Sequence, residues 1–292
     1  MPLIQAEGVS KVFGEDPESA LPLIREGLDR EAIQERSGQT VGVADVSFEV
    51  ERGEILVIMG LSGSGKSTLV RCINRLIDPT AGSVRIDGED IGAMDRRALR
   101  ALRRERVSMV FQHFALFPHR TVLENATYGL EVQGRPAAER RRKGREVLEL
   151  VGLEGHEDSR PDQLSGGMQQ RVGLARALAG DPEIILMDEA VSALDPLIRK
   201  EMQRELIELQ HRLQKTIVFI THDLNEAVRM GDRIVLMKGG RVVQTGTAEE
   251  VLANPASAYV AQFVEDVDMA TVVSLESVMR PRAEMTVHRP GD

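Results

Sequence analysis

The chain has 292 residues, 42% apolar and 28% charged, a balance ordinary for a soluble globular protein and long enough for one large core or two modest ones. Its 37 basic and 46 acidic residues leave a net charge of −9, and aromatics are 3% with no Trp; neither an electrostatic grip on nucleic acid nor a stacking platform for single strands is indicated. The single cysteine, Cys72, excludes an intramolecular disulfide and a cysteine-based metal centre, and neither a signal-peptide pattern nor a run of ~18 apolar residues is present.

In chain order, residues 3–13 alternate as a strand ending at Phe13-Gly14, and 43–50 form a second strand closed by the turn Glu51-Arg52-Gly53-Glu54. Between them, 15–40 is polar and carries Leu21, Leu23, Ile24, Leu28 and Ile33 at helical spacing, as an insertion would. Residues 55–59 are an unbroken apolar run, which predicts a buried strand. Gly60-Leu61-Ser62-Gly63-Ser64-Gly65 then form a turn, and Lys66-Ser67-Thr68 open a helix running through Leu69, Val70 and Ile73. This is a phosphate cradle. Gly60, Gly63 and Gly65 let backbone N–H groups converge on an anion, and the positive end of the helix points at the same spot. Lys66 adds a charge for β- and γ-phosphates, and the Ser67 hydroxyl is placed to ligate magnesium.

A strand at 83–86, a basic amphipathic helix at 95–104 and a strand at 107–111 that delivers Gln112 come next. Residues 114–163 change character. Pro118, Pro136 and Pro161 punctuate helical patterns, which predicts a helical subdomain inserted in an α/β core, with the charges of 139–143 on a solvated face. Leu164-Ser165-Gly166-Gly167-Met168-Gln169-Gln170-Arg171 precede an apolar helix expected at 172–178; small residues with free N–H groups at a helix start describe a second anion site. The strand 184–187 ends in Asp188-Glu189, a carboxylate pair that is costly beside apolar residues unless a metal or a proton-transfer role holds it there. Ser192-Ala193-Leu194-Asp195, a helix at 196–213, a strand at 216–220 ending in Thr221-His222-Asp223, a helix at 224–230 and a strand at 233–237 follow. Such alternation implies a mostly parallel sheet wrapped by helices.

In order and spacing, the phosphate loop, Gln112, the 164–170 signature, Asp188-Glu189, Ser192 to Asp195 and His222 resemble the nucleotide-binding domain of ATP-binding-cassette (ABC) transporters, over about residues 1–263. The resemblance implies an α/β fold: a P-loop NTPase (RecA-like) core with an antiparallel β subdomain and an inserted α-helical subdomain at 114–163. It implies ATP and Mg2+ as ligands. Lys66 and the amides of Gly60, Ser62, Gly63, Ser64, Gly65 and Thr68 would neutralise the phosphates. Ser67, Gln112 and, through water, Asp188 would hold magnesium, Glu189 would polarise the attacking water, and His222 would contact the γ-phosphate. Phe13 matches an aromatic that stacks on adenine. In the family two copies pack head to tail, so Ser165, Gly166, Gly167, Gln169 and Asp195 would serve the nucleotide held by the other copy.

Within the family, Phe111-Gln112-His113-Phe114-Ala115-Leu116, Pro118-His119, Leu194-Asp195-Pro196-Leu197-Ile198-Arg199 and the 15–40 insertion resemble the ATP-binding subunit of glycine betaine/proline (quaternary ammonium compound) importers, with His113 departing from the usual serine. The implied partners are a second copy, a polytopic membrane permease and, indirectly, a substrate-binding protein, with no nucleic acid; the implied location is peripheral, on the cytoplasmic face of the inner membrane. Alternatives are the ATPase subunit of a polar amino-acid or other small-solute importer, and a soluble ABC ATPase. Residues 264–292, where Leu275-Glu276-Ser277-Val278-Met279-Arg280-Pro281 resembles the opening of a CBS domain, are fewer than the ~40 a lone domain needs. They are expected to be disordered or to pack as one short helix.

Overall fold

A computed structural model describes residues 1–112, 115–192 and 194–265. The chain opens with strand β1 (Ile4–Phe13), then enters the inserted segment as two helices, α1 (Leu21–Arg25) and α2 (Arg30–Ser37). The helical spacing of 21–33 is thus divided, with Gly27 at φ 81° making the break. Asp29 caps α2 by accepting from the Ala32 N–H at 2.8 Å, and Gly38 ends it at φ 70°. Ile24 and Ile33 bury themselves with Ala20 against Val12, Val41 and Ala44, so the insertion has a small core of its own on the sheet edge.

Strand β2 (Thr40–Val50) returns antiparallel to β1, with Phe13 opposite Thr40 and Ile4 opposite Val50. It starts three residues earlier than the sequence pattern suggests. After it come β3 (Ile55–Met59), α3 (Lys66–Ile73), β4 (Ala81–Ile86), β5 (Glu89–Asp90), α4 (Arg96–Glu105), β6 (Val107–Val110), α5 (Val122–Ala126), α6 (Tyr128–Val132), α7 (Ala137–Leu150) and α8 (Gly166–Ala179). The last part holds β7 (Ile184–Asp188), α9 (Pro196–Leu213), β8 (Thr216–Thr221), α10 (Leu224–Met230), β9 (Arg233–Lys238), β10 (Arg241–Gly246), α11 (Ala248–Ala253) and α12 (Ala258–Val264).

Two sheets result. One is antiparallel, in the order β2-β1-β4-β5; the other runs β10-β9-β3-β8-β7-β6, parallel except for the β10 edge. Every residue of β3, β7 and β8 is buried, as a parallel sheet covered on both faces requires. Val57, Met59 and Phe219 face the helical layer of α5, α7 and α8, while Leu56, Ile58 and Val218 face α3 and the antiparallel sheet. Because β3, β8 and β7 are neighbours, their carboxyl ends bring the phosphate loop, Thr221-His222 and Asp188-Glu189 to one edge, where open α/β sheets bind ligands.

Two expectations change here. The signature does not merely precede a helix at 172–178: α8 begins at Gly166, so most of the signature forms its first turns. The alternation also continues past 237 into β10, α11 and α12. His113 and the CBS-like stretch 275–281 lie outside the described residues.

Candidate active site

The phosphate loop is shaped by close backbone packing. Gly60 sits at φ 151° with room for no Cβ, which would lie 2.3 Å from the Met237 carbonyl; at Gly65, φ 102°, a Cβ would lie 2.3 Å from the Gly42 carbonyl. The β9–β10 turn braces the loop from outside: the Gly240 N–H donates to Ser64 O at 3.0 Å, and the Ala44 N–H donates to Gly240 O at 2.9 Å. Lys66, only 4% exposed, donates its Nζ protons to the carbonyls of Gly60 at 2.7 Å and Leu61 at 3.1 Å. Burial pushes its pKa down, and the carboxylates of Glu189 and Asp188 work against that shift. The result is a desolvated cation held at the mouth of a glycine cradle.

Behind the loop, the Ser67 hydroxyl donates to Asp188 Oδ1 at 2.7 Å, and Arg71 Nη2 lies 3.5 Å from Asp188 Oδ2. Asp188 is the buried last residue of β7. The next residue, Glu189, takes φ 49°, a left-handed conformation that costs a non-glycine residue about 1 kcal/mol and concentrates at functional sites. That turn presents its carboxylate to two others: Gln112 Nε2 donates to Glu189 Oε2 at 3.2 Å, and His222 Nδ1 lies 3.7 Å from the same oxygen. Gln112 also reaches Ser192 Oγ at 3.5 Å. Donation through its nitrogen leaves the Gln112 amide oxygen for a cation. A hydroxyl, a carboxylate and an amide oxygen are the hard donors magnesium takes, so the residues fit that ion.

Phe13, Ser62, Gly63, Gly65, Lys66, Ser67, Thr68, Gln112 and Glu189 line one cavity of about 440 Å³. Phe13 is 41% exposed at one end of it, which places the ring in the cavity wall rather than in a core. Gly60 and the buried Ser64 shape the loop, Asp188 lies beneath it, and the exposed His222 lines a neighbouring cavity with Leu61 while approaching Glu189. Ser165, Gly166, Gly167, Gln169 and Asp195 do not line this cavity. Ser165 caps α8, accepting from the Met168 N–H at 3.3 Å; Gln169 Nε2 donates to Leu164 O at 3.2 Å. Gly167 abuts Ile198 near the start of α9, where a Cβ would meet Ile198 Cγ2 at 2.8 Å, and the exposed Asp195 is the N-cap residue of the same helix. These five belong to a second cluster on the same chain. The sequence pattern missed Arg30 and Thr40, which line the cavity from α2 and the first residue of β2, and Arg71, one turn along α3 from the loop. None carries a motif.

A glycine loop at a helix start, a buried lysine, and a carboxylate pair at the next strand but one define a phosphate-loop nucleoside triphosphatase. More narrowly, the chain belongs to the ABC transporter family, whose model matches residues 43–192. It is 60% identical over 281 residues to the glycine betaine transport ATP-binding protein OpuAA of Bacillus subtilis, covering 96% of this chain and 67% of that protein. It is 56% identical to the glycine betaine/proline betaine transport system ATP-binding protein ProV of Escherichia coli, covering 95% of this chain and 69% of that one. Among solved structures it resembles the ATP-binding cassette MJ0796, a dimer in a post-hydrolysis state bound to ADP and Pi, with TM-score 0.71 and 34% identity over 84% of this chain and 98% of the other.

Proposed function

We propose that this chain is the ATP-hydrolysing subunit of an importer for glycine betaine and related quaternary ammonium osmoprotectants. The observation that carries the catalytic part is the convergence on Glu189 Oε2 of Gln112 at 3.2 Å and His222 at 3.7 Å, beside the cavity that holds Lys66 and Ser67. In this reading the Lys66 ammonium and the loop amides hold the β- and γ-phosphates of ATP. Ser67, Gln112 and, through water, Asp188 would hold magnesium, which would supply charge neutralisation for the phosphates. Glu189 orients the attacking water and accepts its proton, and His222 contacts the γ-phosphate. Phe13 takes the adenine face.

The second cluster, Ser165 to Gln169 with Asp195, serves the nucleotide of a second copy packed head to tail, a reading supported by its separation from the cavity and by the dimeric form of the MJ0796 cassette. A polytopic permease on the membrane and a substrate-binding protein beyond it complete the assembly, with this chain peripheral on the cytoplasmic face. Among the described residues no helix is long and apolar enough to cross a membrane. The solute assignment rests on the likeness to the glycine betaine relatives.

The test has two parts. Glu189→Gln should leave MgATP affinity within about twofold while turnover falls ~10²- to 10⁴-fold, the size of a lost general base; near wild-type turnover removes Glu189 from the mechanism. Labelled glycine betaine should enter vesicles carrying the complex purified through this chain. Uptake of methionine or another amino acid in its place would reassign the solute.

A further inference from the structure

The inserted segment 15–40 plays no part in the mechanism above, yet its second helix reaches the phosphate loop. Arg30 is the first residue of α2, and its entry into the helix is fixed by the Asp29 cap. Its guanidinium donates through Nη1 to the Gly63 carbonyl of the phosphate loop and through Nη2 to the Gly42 carbonyl of β2. The β9–β10 turn closes on the same group: a Cβ on Gly240 would lie 3.1 Å from Arg30 Nη2, and one on Gly65 would lie 3.3 Å from it. Three backbone segments therefore surround one planar fork, a geometry that suits arginine rather than lysine.

Attachment of the insertion does not require this contact. The Ile24–Ile33 cluster buries the segment against β1 and β2, and Arg241 Nη2 donates to Ile24 O at 2.7 Å from β10. Arg30 instead lines the cavity shared by Phe13, Lys66, Ser67 and Thr68, and its Nε is buried without a hydrogen-bond partner. Burial works against its charge, as it does for Lys66. A partly desolvated cation lining a triphosphate cradle gains when an anion arrives.

We propose that Arg30 is a nucleotide-positioning residue: it sets the phosphate loop through the Gly63 and Gly42 carbonyls and adds its charge to that of Lys66, making the inserted helix α2 part of the nucleotide site. The inference rests on the reading of the phosphate loop given above. It implies that the insertion responds to nucleotide, with α2 tightened when the cradle fills.

The test uses the purified full chain as wild type, Arg30→Gln, Arg30→Lys and Lys66→Met, with MgATP binding, steady-state ATPase and hydrogen exchange as readouts. Loss of a charge-assisted hydrogen bond predicts that Arg30→Gln raises Kd and KM for MgATP about tenfold or more. kcat at saturation should move by less than about threefold, and the nucleotide-free thermal midpoint should fall by at most a few degrees, the effect of the two lost loop contacts. Arg30→Lys, which keeps the charge and loses the fork, should fall between wild type and Arg30→Gln, and it stands in if the glutamine variant fails to fold. In wild type, MgATP should slow exchange at residues 30–37. Affinity within twofold of wild type in both Arg30 variants, a nucleotide-free destabilisation that accounts for the whole affinity loss, or unchanged exchange at 30–37 would each overturn the proposal. If Lys66→Met also binds MgATP normally, the reading of the site itself fails; if it loses binding while Arg30→Gln keeps it, only the role of Arg30 fails.

Discussion

Lys66→Met separates the stability of the phosphate loop from its function. The Lys66 ammonium makes two hydrogen bonds to loop carbonyls, at 2.7 and 3.1 Å, while almost wholly removed from water. Two bonds to a charged donor contribute about 1.5–3 kcal/mol each, whereas burying the ammonium costs several kcal/mol, so the two nearly cancel. Methionine keeps the length and volume of the stem and removes the charge. The nucleotide-free protein should therefore change in stability by no more than about 2 kcal/mol in either direction. Nucleotide binding loses its main point charge and should weaken at least ~100-fold, about 2.8 kcal/mol at 1.4 kcal/mol per decade. Thermal unfolding with and without MgATP reads both quantities. At an ATP concentration of 100 times the wild-type Kd, wild type gains about 2.7 kcal/mol, a rise of roughly 5–10 °C at the 2–4 °C per kcal/mol of a domain this large. The variant, then at best half-saturated, gains about 0.4 kcal/mol, or ~1 °C. A full nucleotide-induced rise in Lys66→Met, or a collapse of the nucleotide-free protein, would show that Lys66 is a structural lysine and refute the argument.

Mixing Lys66→Met chains with Ser165→Arg chains tests the head-to-tail arrangement: each alone should be inactive, while the mixed dimer should recover one working site that joins an intact cradle to an intact signature. Substantial ATPase from either variant alone would contradict it. A pH series tests the buried Glu226, 5% exposed, which accepts from Thr221 Oγ1 at 2.6 Å and Gln203 Nε2 at 2.9 Å. Burial pushes its pKa up, opposed in part by the Thr221 hydrogen bond. A carboxyl with a raised folded pKa binds its proton more tightly in the native state, so its destabilising effect is absent below the unfolded value near 4.5 and grows as pH rises towards the folded one. The stability of wild type relative to Glu226→Gln, from urea unfolding, should accordingly decline with rising pH above 4.5 and then level off; a rising or flat difference would refute this.

What the sequence made legible, and what it hid, follows from the range of the interactions concerned. The cradle was readable because each motif glycine answers a local demand, a positive φ or an approach to backbone, that no other residue meets. Strands β3, β7 and β8 were readable because burial on both faces leaves unbroken apolar runs. The start of α8 was not, since Gly166 and Gly167 are poor helix formers that Ser165 capping and packing against Ile198 hold in the helix. Edge strand β10 buries only its last residue and so shows no clear alternation. The two features that bear most on chemistry beyond the motifs have no local signal at all. Glu189 is aimed by a left-handed backbone that an acidic residue does not announce, and Arg30 meets the phosphate loop across 33 residues of sequence. Both become visible only once the chain is folded, because the groups that meet them come from other segments: the Gln112 amide and His222 imidazole at the ends of β6 and β8 for Glu189, and the Gly63 and Gly42 carbonyls for Arg30. A motif records which atoms must touch the phosphates. The contacts that hold those atoms still are spread through the fold, and at this site they include a helix that the motif pattern leaves out.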